Sequence, residues 1–356
     1  MDRNNIAAQG TVLVTGGAGY IGSHAALALK QAGYDVVILD NLSCGHQDLV
    51  DSVLKVELIK GDISDRSLLD QLFRDRKIDG IMHFAAYIEV GESVRDPGKY
   101  YQNNVFGTLT LLEAAVAADI DKFIFSSTCA TYGVPETLPI PDDHPQNPVS
   151  PYGTSKLMVE QILDDFEVAH GTRSVCFRYF NAAGADPEGR LGEDRAHETH
   201  LVPLVLRTAM GKRDFISIYG TDYDTPDGTC VRDYIHVSDL ANAHVLGLQY
   251  LLKGGKSTKF NLGNGNGFSV KEIIEASKAI TGKEFTVKVD DRRPGDAPTL
   301  VGSAERATTI LVWQPKYADI DSIIAHAWNW HQYRDGAEGV SSFILLKPYA
   351  VGVRAL

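Results

Sequence analysis

Residues 11–22 restrict this chain more than any other stretch. Thr11, Val12, Leu13 and Val14 make a short β-branched run that breaks at Thr15 into Gly16, Gly17, Ala18 and Gly19. Tyr20 and Ile21 then open a helical pattern, in which Ile21, Ala25, Ala28, Leu29 and Ala32 share one 3.6-residue face ending at Gly33. A strand that turns into a helix across glycines aims backbone N–H groups, and the positive end of the helix, at one point. The GxxGxxG spacing of Gly16, Gly19 and Gly22 is slightly wider than the commonest dinucleotide fingerprint. Its demands are the same: a tight turn, backbone approach to a pyrophosphate, and close helix–sheet packing. A lone glycine turn says little, but one between a strand and a helix marks an anion site.

The first half continues this alternation. Further β-branched runs fall at 36–39, 56–59, 80–84, 123–125 and 175–180. Leu68, Leu69, Leu72 and Phe73 form an apolar helical face behind Ser64 and Asp65, which can cap. Longer helices are expected near 98–118 and 151–170. The pattern predicts an α/β fold: a doubly wound parallel sheet covered on both faces. Past Asn181 it loosens, with helices expected near 201–210, 270–281 and 320–333 and strands near 215–219, 260–262 and 285–289. Ser269 and Glu272 read as a capping box. The predicted organisation is a Rossmann-type dinucleotide-binding domain, 1–180, to which 234–252 returns. A smaller α/β substrate domain takes 181–233 and 253–340, and 341–356 is a tail of no assigned role. Thr15, Asp40, Asp62, Ala85, Ala86, the run Ser126, Ser127, Thr128, and Asn181 all sit where the first six strands should end. Open α/β sheets bind ligands at those ends.

The formal charge of −12 argues against a nucleic-acid partner, which needs a basic face. Anionic ligands must then be held by local Arg residues and backbone amides. No run approaches the ~20 apolar residues of a membrane span, and the polar stretch 1–10 lacks the apolar core of a secretory signal. Cys44, Cys129, Cys176 and Cys230 are isolated, without CxxC or metal-ligand spacing, so neither a disulfide framework nor a metal site is expected. A reducing cytoplasm is the expected setting.

Asp40 follows Gly22 at the end of the second strand, where a carboxylate accepts ribose hydroxyls and repels a 2′-phosphate. No Arg occurs in Asn41, Leu42 or Ser43, which favours NAD over NADP. Asp62 is placed to meet the adenine edge. Tyr152 and Lys156 lie one turn apart on a helix, a spacing common on ordinary helix surfaces. Here they accompany a strand ending in Ser126, Ser127 and Thr128. A free phenol has a pKa near 10, so only about one in a thousand is ionised at pH 7. Lys156 and an oxidised nicotinamide would both favour the anion; a lowering of about three pH units corresponds to ~4 kcal/mol. Tyr152 then reads as the base for a sugar hydroxyl, with Thr128 bonded to the same oxygen.

The stretches VLVTGGAGYIGSH (12–24), DNLS (40–43), HFAA (83–86), YYQNNVFGT (100–108), SSTCATYG (126–133), PYGTSK (151–156), RYFNAAGADP (178–187), GTCVRDYIHVSDLA (228–241) and RRPGD (292–296) carry a closer resemblance. The chain resembles the UDP-glucose 4-epimerases of the extended short-chain dehydrogenase/reductase family over about residues 11–333. That resemblance implies NAD contacts from Gly16, Gly19, Tyr20, Ile21, Gly22, Asp40, Asn41, Asp62, Ile63, Phe84, Ala85, Ala86, Asn103, Tyr152, Lys156 and Tyr179. It makes Tyr152 the base, Thr128 its hydroxyl partner and Lys156 the residue that tunes it. It gives Asn181, Leu201, Arg232, Arg293 and Asp296 to a UDP-sugar, with Tyr219 near the uracil, and implies a homodimer through the helices near 98–118 and 151–170. The implied reaction removes hydride from C4, turns the 4-keto sugar over, and returns hydride to the other face.

The chain departs from the family pattern at Ile88, often Lys, and at His200, often Asn. Leu300 stands at the position whose bulk sorts plain from N-acetylated hexoses. Related dehydratases and decarboxylases carry acidic residues after the fifth-strand Thr, where this chain has Cys129 and Ala130. Epimerases of UDP-pentoses or UDP-N-acetylhexosamines share the catalytic set. A non-enzymatic dinucleotide sensor would not need the Tyr–Lys pair.

Overall fold

The computed structural model describes residues 9–293 and 296–337. The expectations for 1–8 and 341–356 lie outside the described residues. Alternation along the strands sets the layers. In β1 (Thr11–Thr15), Val12 and Val14 face one core while Leu13 faces the other, all essentially without solvent exposure. A strand buried on both faces belongs in the middle of a covered parallel sheet. With β2 (Asp35–Asp40), β3 (Glu57–Lys60), β4 (Gly80–His83), β5 (Lys122–Thr128), β6 (Arg173–Tyr179) and β7 (Thr258–Leu262), it forms one seven-stranded sheet, ordered β7-β6-β5-β4-β1-β2-β3. Every pairing in it is parallel. The order reverses between β1 and β4, the switch point where such sheets bind ligands.

Helices α1 (Tyr20–Gln31) and α6 (Val237–Leu252) cover one face. Helices α2 (Arg66–Asp75), α3 (Thr108–Ala117) and α4 (Pro151–His170) cover the other through Leu69, Leu72, Leu111, Leu112, Val159 and Leu163. Each such aliphatic side chain contributes about 1.5–3 kcal/mol on burial. The caps fall where polar residues supply them: Asp65 accepts from the Leu68 N–H at the start of α2, and Ser150 from the Gly153 N–H at the start of α4. Gly171 closes α4 at a φ of 75°.

The remaining elements build the second region. Helix α5 (Leu201–Ala209), α7 (Val270–Thr281) and α8 (Ile320–Ala337) pack together around Val202, Leu206, Ile273, Ile323 and Ile324. Ser269 and Glu272 make the expected capping box on α7. Three small sheets complete the region: Asn181–Ala183 with Tyr234–His236, Phe215–Tyr219 with Thr286–Asp290, and Val231–Arg232 between Phe268–Ser269 and Thr299–Leu300.

Two sequence expectations about organisation change. The strand near 260–262, expected in the substrate domain, is β7 at the edge of the main sheet, with Phe260 opposite Phe177. Its apolar residues complete the core beneath α6, so the chain stays with the sheet beyond residue 252. Conversely, only the helix of the returning segment 234–252 reaches the sheet. Its strand, Tyr234–His236, pairs instead with Asn181–Ala183.

Candidate active site

The turn between β1 and α1 is closed from within. The Gly16 N–H bonds to the Leu39 carbonyl (2.9 Å), the Gly19 N–H to the Gly16 carbonyl (3.2 Å), and Gly16 has a φ of 71°. A Cβ at Gly16 would stand 2.6 Å from the Ala85 nitrogen, and one at Gly22 would stand 2.2 Å from the Gly16 oxygen. Bare backbone is therefore required at both. Gly19 is different: a Cβ there would meet only the Gly16 oxygen, at 3.3 Å. Gly19 is the N-cap of α1, no side chain caps it, and the first turn carries no acidic residue. Free amide donors at an uncapped helix start are what a pyrophosphate requires.

The neighbouring strand ends complete the cradle. The Asp40 carboxylate accepts from the Ala18 N–H (3.0 Å) and the Leu42 N–H (2.8 Å). Burial pushes its carboxyl above the ordinary range, and those two bonds hold it back. Asn41 donates to Asp62 (2.9 Å), which also accepts from the Ser64 backbone and hydroxyl. Burial works to raise Asp62, but these bonds outweigh it and leave the carboxyl below its usual value. Ile63 is buried beside them, and Phe84, Ala85 and Ala86 leave β4 half-buried. Tyr20 and Ile21 begin α1, and the Tyr20 hydroxyl reaches the Gly184 carbonyl (2.7 Å).

The Tyr–Lys pair lies where α4 meets the end of β5. Lys156, 3% exposed, donates to the Ser126 carbonyl (2.8 Å) and lies 4.8 Å from the Phe125 ring centroid. Tyr152 packs edge-on to Tyr100, at 6.5 Å between centroids. Thr128 is opposite Tyr179 in the β5–β6 register, and the Tyr179 hydroxyl bonds to Ser126. Burial lifts Tyr152 to about 12, while its hydrogen bond to Thr128 works the other way. Burial also lowers Lys156 to about 7, against the nearby charge of Glu160. The expected acidification of the phenol is thus not the work of the protein alone. Desolvation disfavours both charged forms, and a further cation must tip the balance.

Several supporting residues were not singled out from sequence. His83, ending β4, is bonded to the Thr15 hydroxyl (2.6 Å) and the Thr108 hydroxyl (2.8 Å). Because Thr108 donates its own proton to the Asn104 carbonyl, the His83 Nε2–H donates to Thr108, and Nδ1 accepts from Thr15. Burial holds His83 near 3, so it stays neutral. Asn104 rather than Asn103 is the buried hub. It exchanges hydrogen bonds with Tyr87, accepts from Asn103, and donates to Ser155 one residue before Lys156. Behind β5, Arg178 forks onto Glu160, and Ser127 donates to the same carboxylate (2.5 Å).

The residues expected around a UDP-sugar fall into connected groups. Asn181 donates to the Asp233 carbonyl (3.2 Å). Arg232 is ion-paired with Asp296, and the Arg293 guanidinium lies 4.0 Å above the Tyr219 ring. Leu201 is the first residue of α5, half-buried. His200 turns to Glu193 instead (2.7 Å). Glu193, Glu198 and His200 have metal-ligand spacing. Arg195 lies 3.1 Å from the same Glu193 oxygen, so that charge is already answered. Burial pushes the Cys129 thiol up to about 12.

The fold and the site define a dinucleotide-binding enzyme of the short-chain dehydrogenase/reductase class. The model of the NAD dependent epimerase/dehydratase family matches residues 12–263, and the chain belongs to that family. It is 52% identical over 336 residues to a UDP-glucose 4-epimerase of Rhizobium meliloti (strain 1021), covering 94% of this chain and 99% of that protein. It is similar to the crystal structure of UDP-glucose 4-epimerase from Brucella ovis in complex with NAD: TM-score 0.87, 47% identity, 90% of this chain and 97% of that one. A Bifidobacterium longum UDP-glucose 4-epimerase, in complex with NAD+ and UDP, matches with a TM-score of 0.86 and 40% identity, over 91% and 99% of the two chains.

Proposed function

We infer that the chain is an isomerase that interconverts UDP-glucose and UDP-galactose, with NAD as its resident cofactor. The observation that carries this is the Thr128–Tyr152–Lys156 group at the end of β5, in a chain half identical to UDP-glucose 4-epimerases over nearly its whole length. Gly16, Gly19, Tyr20, Ile21 and Gly22 would hold the pyrophosphate, Asp40 and Asn41 the adenosine ribose, and Asp62 and Ile63 the adenine. Phe84, Ala85, Ala86, Asn103, Tyr179 and Lys156 would line the nicotinamide half. When bound, NAD supplies a hydride acceptor for C4 of the sugar and a positive ring beside Tyr152. Tyr152 takes the proton of the 4-hydroxyl and later returns it to the other epimer, with a 4-keto sugar between the two steps. Thr128 fixes the phenol, and Lys156 adds positive charge. Bringing Tyr152 from about 12 to near 7 requires on the order of 7 kcal/mol, and Lys156, which burial leaves only partly charged at neutral pH, supplies part of it beside the nicotinamide.

Arg232 and Arg293 hold the diphosphate, Tyr219 flanks the uracil, and Asn181, Leu201 and Asp296 complete the pocket. With the UDP end fixed, the hexose is free to turn over between the two hydride transfers. Assayed side by side, UDP-galactose should be converted faster than UDP-N-acetylgalactosamine or UDP-arabinose; faster turnover of the pentose would overturn the hexose assignment. Protein denatured after purification should release NAD and not NADP, as Asp40 requires, and chromatography of the released nucleotide decides it. No helix among the described residues is long and apolar enough to cross a membrane. A cytoplasmic homodimer fits the reading. The four cysteines are free, and Phe106 and Met158, on the expected dimer helices, are 48% and 39% exposed. A net charge of −12 argues against a nucleic-acid partner.

A further inference from the structure

Asp233 has no part in the chemistry above, yet it is fully buried. Its carboxylate accepts three backbone N–H groups: Asn264 (2.8 Å) and Gly265 (3.4 Å) from one loop, and Gly302 (3.2 Å) from another. Its own N–H donates to the Leu300 carbonyl (3.0 Å). Its carbonyl accepts both the backbone and the side chain of Asn181 (3.0 and 3.2 Å). Arg232 precedes it in the chain and sits opposite Leu300 in register. A Cβ on Gly263 would stand 2.5 Å from the carboxylate, so the loop is drawn tightly over it. Burying a carboxylate is costly, and burial pushes this one up to about 6 against the pull of the three amides. The chain accepts that cost at the one point where Asn181, Arg232 and Leu300 meet.

We propose that Asp233 is a positioning residue for the nucleotide end of the substrate, clamping the two loops so that Asn181, Arg232 and Leu300 present one preformed surface. This rests on the UDP-sugar reading above. The clamp acts on the anchor and not on Tyr152, so it should govern binding and leave the proton and hydride steps alone. Asp233→Asn keeps the shape but turns an amide donor toward backbone donors, which cannot pair. The test compares wild type and Asp233→Asn for kcat and KM with UDP-galactose, calorimetric affinity for UDP, and NAD released on denaturation. The expected result is a KM and a UDP dissociation constant raised by about tenfold or more, kcat within about threefold, and unchanged NAD content. Unchanged UDP affinity, a fall confined to kcat, or loss of NAD would overturn the proposal. Should Asp233→Asn not fold, Asp233→Ser takes its place, and failure of both to fold would assign the residue to the scaffold instead. Wild-type protein inactive on UDP-galactose would count against the substrate reading. UDP calorimetry would still judge the clamp on its own.

Discussion

Tyr152→Phe should lower turnover of UDP-galactose by about three orders of magnitude or more while the protein keeps its NAD. The change deletes one oxygen. The ring keeps its edge-on packing against Tyr100, and Lys156 keeps its bond to the Ser126 carbonyl. General acid–base catalysis by a positioned group contributes about 10²–10⁴-fold, and His83 is not free to replace it, because both its ring nitrogens are bonded, to Thr15 and Thr108. Steady-state rates together with nucleotide release separate the outcomes. Near-normal turnover would remove Tyr152 from the mechanism. Loss of NAD with loss of activity would show that the phenol anchors the cofactor instead.

Glu160→Gln should destabilise the protein by about 3–5 kcal/mol, read as a lower urea midpoint with wild-type slope. Arg178 and Glu160 are 3% and 1% exposed and meet in a forked pair behind β5. Neutralising the acid leaves the buried guanidinium facing one amide oxygen in place of a carboxylate, beside its bonds to the Tyr132 hydroxyl and the Asp142 carbonyl. Removing one member of such a pair costs more than the pair contributes, because the remaining charge is uncompensated. The effect should extend to the site. Glu160 holds Lys156 up against the burial that lowers it to about 7, so the substitution leaves Lys156 less charged at neutral pH. A midpoint within experimental scatter of wild type would show that solvent reaches Arg178.

Much of this was legible in the chain because it is local. The turn at Gly16–Gly22, the caps at Asp65 and Ser269, and the polar residues at the strand ends each follow from a few neighbouring residues. Their partners in space are fixed by the parallel sheet. What was not legible depends on distant contacts. β7 looked like part of the second region because its run is short. Only pairing with β6, some eighty residues earlier, places it in the sheet. Asn104 was passed over because only the winding of the helix decides which residue of its motif faces Ser155. Burial is also invisible in a spacing rule. A Tyr and a Lys one turn apart suggest a cation acidifying a phenol, but desolvation acts on both and reverses the direction for the protein by itself.

The pairing of Arg232 with Asp296 bears on how quickly the cycle can end. A guanidinium that already shares its charge with a carboxylate gives up part of one partner to gain another, so the net attraction for an incoming dianion is moderate. In a reversible reaction whose two nucleotide sugars differ at a single stereocentre, a grip too strong on their common end would hold both alike and slow departure in either direction. On the proposed UDP-sugar reading, Asp296 beside Arg232 would favour rapid exchange of the nucleotide while the cofactor stays in place.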